Sequence, residues 1–184
     1  MNLPSRHPEA GPPPEPDGLL ALAVDVAREA ATLVARGRAS AAEQVDVKSS
    51  PVDVVTAVDR ASEELIVTRL LAARPDDGLL GEEGADQAGS SGVRWVVDPI
   101  DGTVNFLYGL PAYAVSIAAE VDGEIRAGVV LNAATGEMFT GTAGGGAHLT
   151  SPGRPESVRL TGSSPVSLEQ TLVGAGFGYR VEQR

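Results

Sequence analysis

The sequence predicts an α+β layered domain, and three observations carry that prediction. Two long stretches with helical apolar spacing come first, a run of short β-like segments follows, and Asp-Gly and Thr-Gly turn dipeptides separate the last three of those segments. Helices followed by strands argue for layers rather than for the alternating order of a doubly wound sheet. No internal repeat is visible.

The elements follow in order. Residues 1–17 are proline-rich without an apolar period, so they are expected to be a disordered lead-in, with fold beginning at Gly18. From there Leu19, Leu20, Ala23, Val24, Val26, Ala27, Ala30, Leu33 and Val34 recur at helical intervals, and Gly37 stands near their end as a stop signal. The stretch "VDVKSSPVD" (45–53) is expected to be a loop or short hairpin. A second amphipathic helix, "VVTAVDRASEELIVTRLLAAR", buries Leu65, Ile66, Leu70 and Leu71 and is broken by "PDD". The β-like segments are "GLLGEE", "RWVVDP", "YAVSIAAEVD", "EIRAGVVLNA" and "EMFTGTAG", the last three reading as an antiparallel meander. The glycine-rich "GTAGGGAHL" lacks the Gly-Lys-Ser/Thr ending of a nucleotide loop and is expected to be a tight turn between strands.

Composition narrows the chemistry. The chain has 184 residues, no cysteine and two histidines, so thiolate metal sites and disulfides are excluded and a bound metal would draw on oxygen ligands or on those histidines. His7 and His148 have no partner at ligand spacing and receive no role. The formal charge of −11 repels nucleic acid backbones and anionic membranes, and the scattered arginines form no basic platform with aromatics. No signal core precedes the fold and no stretch approaches the ~20 apolar residues of a membrane helix, so a cytoplasmic setting is expected.

The acids are the informative residues. In "WVVDPIDGTVNF" an apolar run ends in Asp98 and Asp101; "GLLGEEG" ends in Glu82 and Glu83; "SSPVDVVTAVD" carries Asp53 and Asp59 at a polar-apolar boundary. Asp-Pro and Asp-Gly are ordinary turn dipeptides, and "DPIDGT" alone would merely end a strand. Three acid clusters at the ends of apolar elements are different. Two carboxylates about 4 Å apart repel by roughly 4 kcal/mol at an effective dielectric of 20, and a divalent cation between them turns that repulsion into attraction. Magnesium, which takes six oxygens and is commonly held by one or two carboxylates with water and substrate phosphate, suits this set. If "TVNFLYG" opens a short helix, the N–H groups of Gly102 and Thr103 offer a seat for a phosphate beside the metal. Thr103 reads equally well as a plain N-cap.

Together, "GEEG", "WVVDPIDGTVNFLYGLPAYAVSIA" and "AGVVLNAATGEMFTGTAGGGAHL" resemble the inositol monophosphatase family of Mg²⁺-dependent, lithium-sensitive sugar phosphatases, over residues 18–180 or so. The resemblance implies a layered α/β sandwich in which Glu82, Asp98, the carbonyl of Ile100 and Asp101 bind Mg²⁺. It further implies that Asp53 and Thr103 orient and deprotonate the attacking water, that Gly102, Thr103 and Lys48 serve the substrate, and that two metals assist in-line attack on phosphorus. From spacing alone Lys48 is a solvated loop charge.

One implied part is missing. The family carries a further metal-ligand aspartate in a C-terminal Trp-Asp-x-Ala-Ala-Gly segment, whereas Trp95 is the sole tryptophan here. Asp122, Glu124, Glu137, Glu156 and Glu169 lie in turn-like or polar stretches and read as surface acids. Residues 18–184 are therefore expected to be the N-terminal part of a phosphatase domain lacking its C-terminal metal-ligand segment, with "LVGAGFG" a strand deprived of its neighbour. The implied activity is hydrolysis of inositol 1-phosphate, with histidinol phosphate, fructose bisphosphate or a nucleotide 3′-phosphate as alternatives, by a protein that is a homodimer at full length. A non-catalytic metal-binding or partner-binding fragment is the alternative of a different class.

Overall fold

The structure, a computed structural model, describes residues 15–43, 51–154, 156–162, 164 and 167–172, with 39–43 and 51–56 as backbone. Two helices come first, α1 (Pro16–Glu43) and α2 (Pro51–Ala73). The strands are β1 (Gly78–Gly81), β2 (Asp86–Gln87), β3 (Val93–Asp101), β4 (Ala114–Val121), β5 (Glu124–Asn132), β6 (Met138–Thr142), β7 (Gly146–Thr150) and β8 (Val158–Leu160). A six-residue helix, α3 (Thr103–Tyr108), separates β3 from β4, and a 3-10 turn occupies Leu168–Gln170.

The helix α1 opens two residues inside the proline-rich lead-in, because Pro16 needs no N–H partner in a first turn and Asp17 complements the helix dipole. Leu19, Ala23, Val26, Ala27, Ala30 and Val34 form its buried stripe. Gly37 does not stop it. A Cβ there would lie 2.7 Å from Cγ1 of Val58, so the glycine lets α1 and α2 approach, and the helix runs on to Glu43. Residues 51–53, expected in a loop, form the first turn of α2, which again opens on a proline. Ile66 and Leu70 are fully buried on α2, with Leu65 and Leu71 half-buried beside them. Lys48 and the run from Val173 onward, which includes the expected strand "LVGAGFG" apart from Leu172, lie outside the described residues.

The strands make one eight-stranded sheet in the order β2-β1-β3-β4-β5-β6-β7-β8. Only β1 and β3 are parallel; every other pair is antiparallel. The meander expected from the Asp-Gly and Thr-Gly signals is β4-β5-β6, and the glycine-rich segment turns at residues 143–145 between β6 and β7. Strict alternation then sorts the side chains. Trp95, Val97, Val115, Ile117, Ala119, Ala127, Val129 and Leu131 face the helices and are buried with them in one core, giving an α+β sandwich. On the opposite face Leu80, Val130, Phe139 and Val158 are 39 to 47% exposed, and no described residue covers them.

Candidate active site

The one parallel junction decides where the acids meet. Leu80 pairs with Val96 and Gly81 with Val97, and the ladder is extended by the Glu82 N–H, which donates to the Val97 carbonyl at 3.2 Å. Both strands therefore end on the same edge, and Glu82 emerges beside Asp98. The two carboxyl groups are close enough for Glu82 to act on Asp98 both by hydrogen bonding and by charge. Burial, this hydrogen bond and the charges of Glu82 and Asp101 push the Asp98 pKa up to about 7, against the opposing pull of the Ile100 N–H on Asp98 Oδ1 at 3.1 Å.

A bulge between Asp98 and Asp101 interrupts the pairing of β3 with β4 and turns the chain inward, burying Ile100 while Asp101 stays exposed. Gly102 follows in the left-handed region, φ 86° and ψ 38°, as N-cap of α3. A Cβ there would lie 2.7 Å from the Ala112 carbonyl oxygen, so both the dihedral and the crowding demand glycine. Gly102, not Thr103, is the N-cap, which corrects the simpler of the two expectations for that threonine. The Thr103 hydroxyl instead donates to the Ile100 carbonyl at 3.0 Å. The helix α3 is anchored by the Phe106 ring, edge-on to Tyr113 at 5.3 Å, and by Asn105 Nδ2 donating to the Ala112 carbonyl.

From the other side α2 presents three polar residues on its buried face. Asp59 is 3% exposed, and burial together with the charges of Glu83, Glu82 and Glu63 pushes its pKa up to about 7. Ser62 Oγ donates to the Pro99 carbonyl at 3.4 Å. Glu63 accepts the N–H groups of Glu83 (2.9 Å) and Ala85 (3.1 Å). Neither Ser62 nor Glu63 was singled out from sequence. The available signal was that Asp59, Ser62, Glu63 and Ile66 share one helical stripe, where apolar residues belong.

The expected residues thus divide. Glu82 and Asp98 touch, Asp101 is close enough for its charge to act on Asp98, and the Ile100 carbonyl lies in the same turn. Asp53 sits in the first turn of α2, its side chain outside the described set, as is Lys48. Among the described residues no three Asp, Glu or His side chains converge to cage an ion alone. The donor set nevertheless fits a hard cation: it is all oxygen, and a divalent ion could displace the proton that the neighbouring Glu82 favours on Asp98.

A stability prediction follows from the two raised carboxyl groups. Between about pH 4 and pH 7 the folded protein holds protons that the unfolded chain, with ordinary carboxyls at 3.8, has released. Stability in chelator should therefore fall as pH rises through this window, by at least about 1 kcal/mol, and then level off. Thermal melts in EDTA at pH 5 and pH 8 check this; equal midpoints would contradict the arrangement of Asp59, Asp98 and Glu82.

Comparison with known proteins covers nearly the whole chain. The model of the inositol monophosphatase family matches residues 15–184. The chain belongs to the inositol monophosphatase family. It is 45% identical over 188 aligned positions to the inositol-1-monophosphatase SuhB of Mycobacterium tuberculosis, covering 94% of this chain and 64% of that protein. A solved structure of Mycobacterium tuberculosis SuhB superposes with a TM-score of 0.77 at 42% identity, over 91% of this chain and 61% of that one. A Nus factor SuhB of Pseudomonas aeruginosa is 41% identical over 90% of this chain and 60% of its own length. This family member thus spans somewhat under two thirds of the relatives it matches. Members of the family are generally metal-dependent, which agrees with the paired carboxylates of Glu82 and Asp98. No helix among its described residues is long and apolar enough to cross a membrane.

Proposed function

We propose that this chain carries the metal-binding half of a Mg²⁺-dependent phosphomonoesterase whose substrate is inositol 1-phosphate. The observation that carries the proposal is the Glu82–Asp98 carboxyl pair where the parallel pairing of β1 with β3 ends, close in sequence to the Gly102–Thr103 backbone that opens α3. The printed name of the mycobacterial relative supports the substrate.

Glu82, Asp98, Asp101 and the Ile100 carbonyl would hold the ion. When bound, Mg²⁺ supplies positive charge at the phosphate and lowers the pKa of water. The protein's own residues do the rest. The Thr103 hydroxyl spends its proton on the Ile100 carbonyl, so its oxygen is left as an acceptor that fixes the orientation of the attacking water. Asp53, on α2, takes the proton from that water. Backbone N–H groups of Gly102 and Thr103 receive phosphate oxygens, and Lys48 adds charge from the segment preceding α2. We further propose inhibition by Li⁺, a cytoplasmic location and a homodimer, with no role in binding nucleic acid or membrane.

The test is phosphate release from inositol 1-phosphate, histidinol phosphate, fructose 1,6-bisphosphate and adenosine 3′-phosphate, with Mg²⁺ and with EDTA. Preference for the first substrate, lost in EDTA, is expected; metal-independent release would refute the proposal. Thr103→Ala should lower kcat about 100-fold while KM changes less than about threefold, because an orienting hydroxyl acts mainly in the transition state. An effect on KM alone would make Thr103 a phosphate binder. The name of the Pseudomonas relative, a Nus factor, favours a second reading, a partner-binding protein. That reading gains if Mg²⁺ binds without turnover on any of the four substrates.

A further inference from the structure

We infer that Glu63 is a positioning residue for the metal site: its carboxylate clamps the turn after β1 and so sets where Glu82 stands relative to Asp98. The inference rests on the proposed cation site at Glu82 and Asp98.

Four observations support it. First, Glu63 is 6% exposed, and its two oxygens are divided between two donors of the same turn, Oε2 taking the Glu83 N–H and Oε1 the Ala85 N–H. Those amides flank Gly84, whose φ of 115° is open to few residues other than glycine, so the turn needs an external support to hold one shape. Second, the strand leading into the turn leaves room for the clamp. A Cβ on Gly81 would lie far inside van der Waals contact with Glu63 Oε2, so the carboxylate keeps its place only while residue 81 is a glycine. Third, Glu63 adds its charge to an acidic corner. It acts on the buried Asp59 together with Glu83 and Glu82, and no lysine or arginine pairs with it among the described residues. A group chosen only to cap two amides at least cost would not add negative charge to this corner, whereas a corner that receives a cation gains from it. Fourth, one turn of the same helix reaches the other ligand segment, where Ser62 Oγ meets the Pro99 carbonyl between Asp98 and Ile100. The helix α2 thereby grips both acid-bearing segments at once.

Residues that hold a metal ligand in place commonly change metal affinity by 10–100-fold when altered. The experiment measures Mn²⁺ binding to the 184-residue chain by electron paramagnetic resonance, with Mg²⁺ as competitor, in wild type, Glu63→Gln, Gly81→Ala and Asp98→Asn. Glutamine keeps one acceptor and turns an amide NH₂ toward the second backbone N–H, so one of the two bonds is lost. Gly81→Ala leaves the carboxylate in the chain but displaces it. Both variants should bind Mn²⁺ at least about 10-fold more weakly, and amide exchange at Glu83 and Ala85 should quicken, while melting in EDTA stays within a few degrees of wild type. The double variant should be no worse than the poorer single one.

Unchanged Mn²⁺ affinity in Glu63→Gln and Gly81→Ala, with binding lost in Asp98→Asn, would overturn the positioning role and leave the site standing. Wild-type affinity in Asp98→Asn, or no binding by the wild type, would overturn the site and the positioning role together. Should Glu63→Gln not fold, Gly81→Ala decides alone by the same criteria.

Discussion

Asp98→Asn is expected to abolish metal-dependent phosphate release, with a loss of at least about 1,000-fold at saturating Mg²⁺. The substitution hardly changes shape, so the effect isolates charge and ligand chemistry. Asp98 lies at the start of the β3 bulge, beside Glu82, and accepts the Ile100 N–H. An asparagine there keeps an acceptor for that N–H but presents a neutral amide to the cation, and the site loses one of its two touching carboxylates. Removing one preorganised electrostatic group from an active site costs about 10² to 10³ in other enzymes, and a metal ligand does more than one such job. Steady-state phosphate release across a Mg²⁺ series checks the expectation, with Asp101→Asn in parallel. Near wild-type turnover in the Asp98 variant would remove the metal assignment. The same variant links turnover to stability: with residue 98 unable to titrate, the fall in melting temperature between pH 5 and pH 8 in EDTA should shrink, leaving the contribution of Asp59.

Asp77→Ala should destabilise the chain by about 3 to 5 kcal/mol, more than any other single change at a polar residue described above. Asp77 is 1% exposed and satisfies four donors at once. Its carboxylate accepts Trp95 Nε1 at 2.8 Å, Ser91 Oγ at 2.6 Å, and Arg74 through Nε at 2.5 Å and Nη2 at 3.2 Å. Those partners come from the end of α2, the turn before β3 and β3 itself, so one side chain ties three segments together. Truncation would leave the buried indole N–H without an acceptor and the Arg74 guanidinium without its counter-charge, and breaking a buried pair from one side costs in this range. Asp77→Asn, which can still accept the indole, should lose roughly half as much. Urea unfolding followed by Trp95 fluorescence measures both; a loss below about 1 kcal/mol in the alanine variant would mean that the network is incidental.

The frame of the molecule was legible because it is written in period and punctuation. The helical spacing from Leu19 to Val34 and the Asp-Gly and Thr-Gly turns announce α1 and the β4-β5-β6 meander without any knowledge of packing. What packing alone decides was not legible. Gly37 resembles a helix stop until Val58 is seen beside it, and the two-residue β2 has no period to detect. In the site, Glu82 and Asp98 stood out as acids ending apolar runs, but their contact depends on the parallel register of β1 with β3, a long-range fact. Ser62 and Glu63 were hidden for the opposite reason. On a helix, Ser and Glu among Arg60 and Glu64 look like solvent-facing polarity, and only the fold turns that stripe inward.

The single parallel junction also bears on the order in which the molecule is built. From β3 to β8 each strand pairs with the next along the chain, so most of the sheet closes through short hairpins, contacts that form early because little chain entropy is lost in making them. The corner holding Glu82 and Asp98 depends instead on bridges between α2 and the strand ends, spanning 20, 22 and 37 residues of chain. A chain partway through folding would then own a sheet before it owned an ion site. A cation held there as proposed, able to engage only the finished corner, would act as a latch on the last step of assembly, and withdrawing it would loosen that corner first while the meander held.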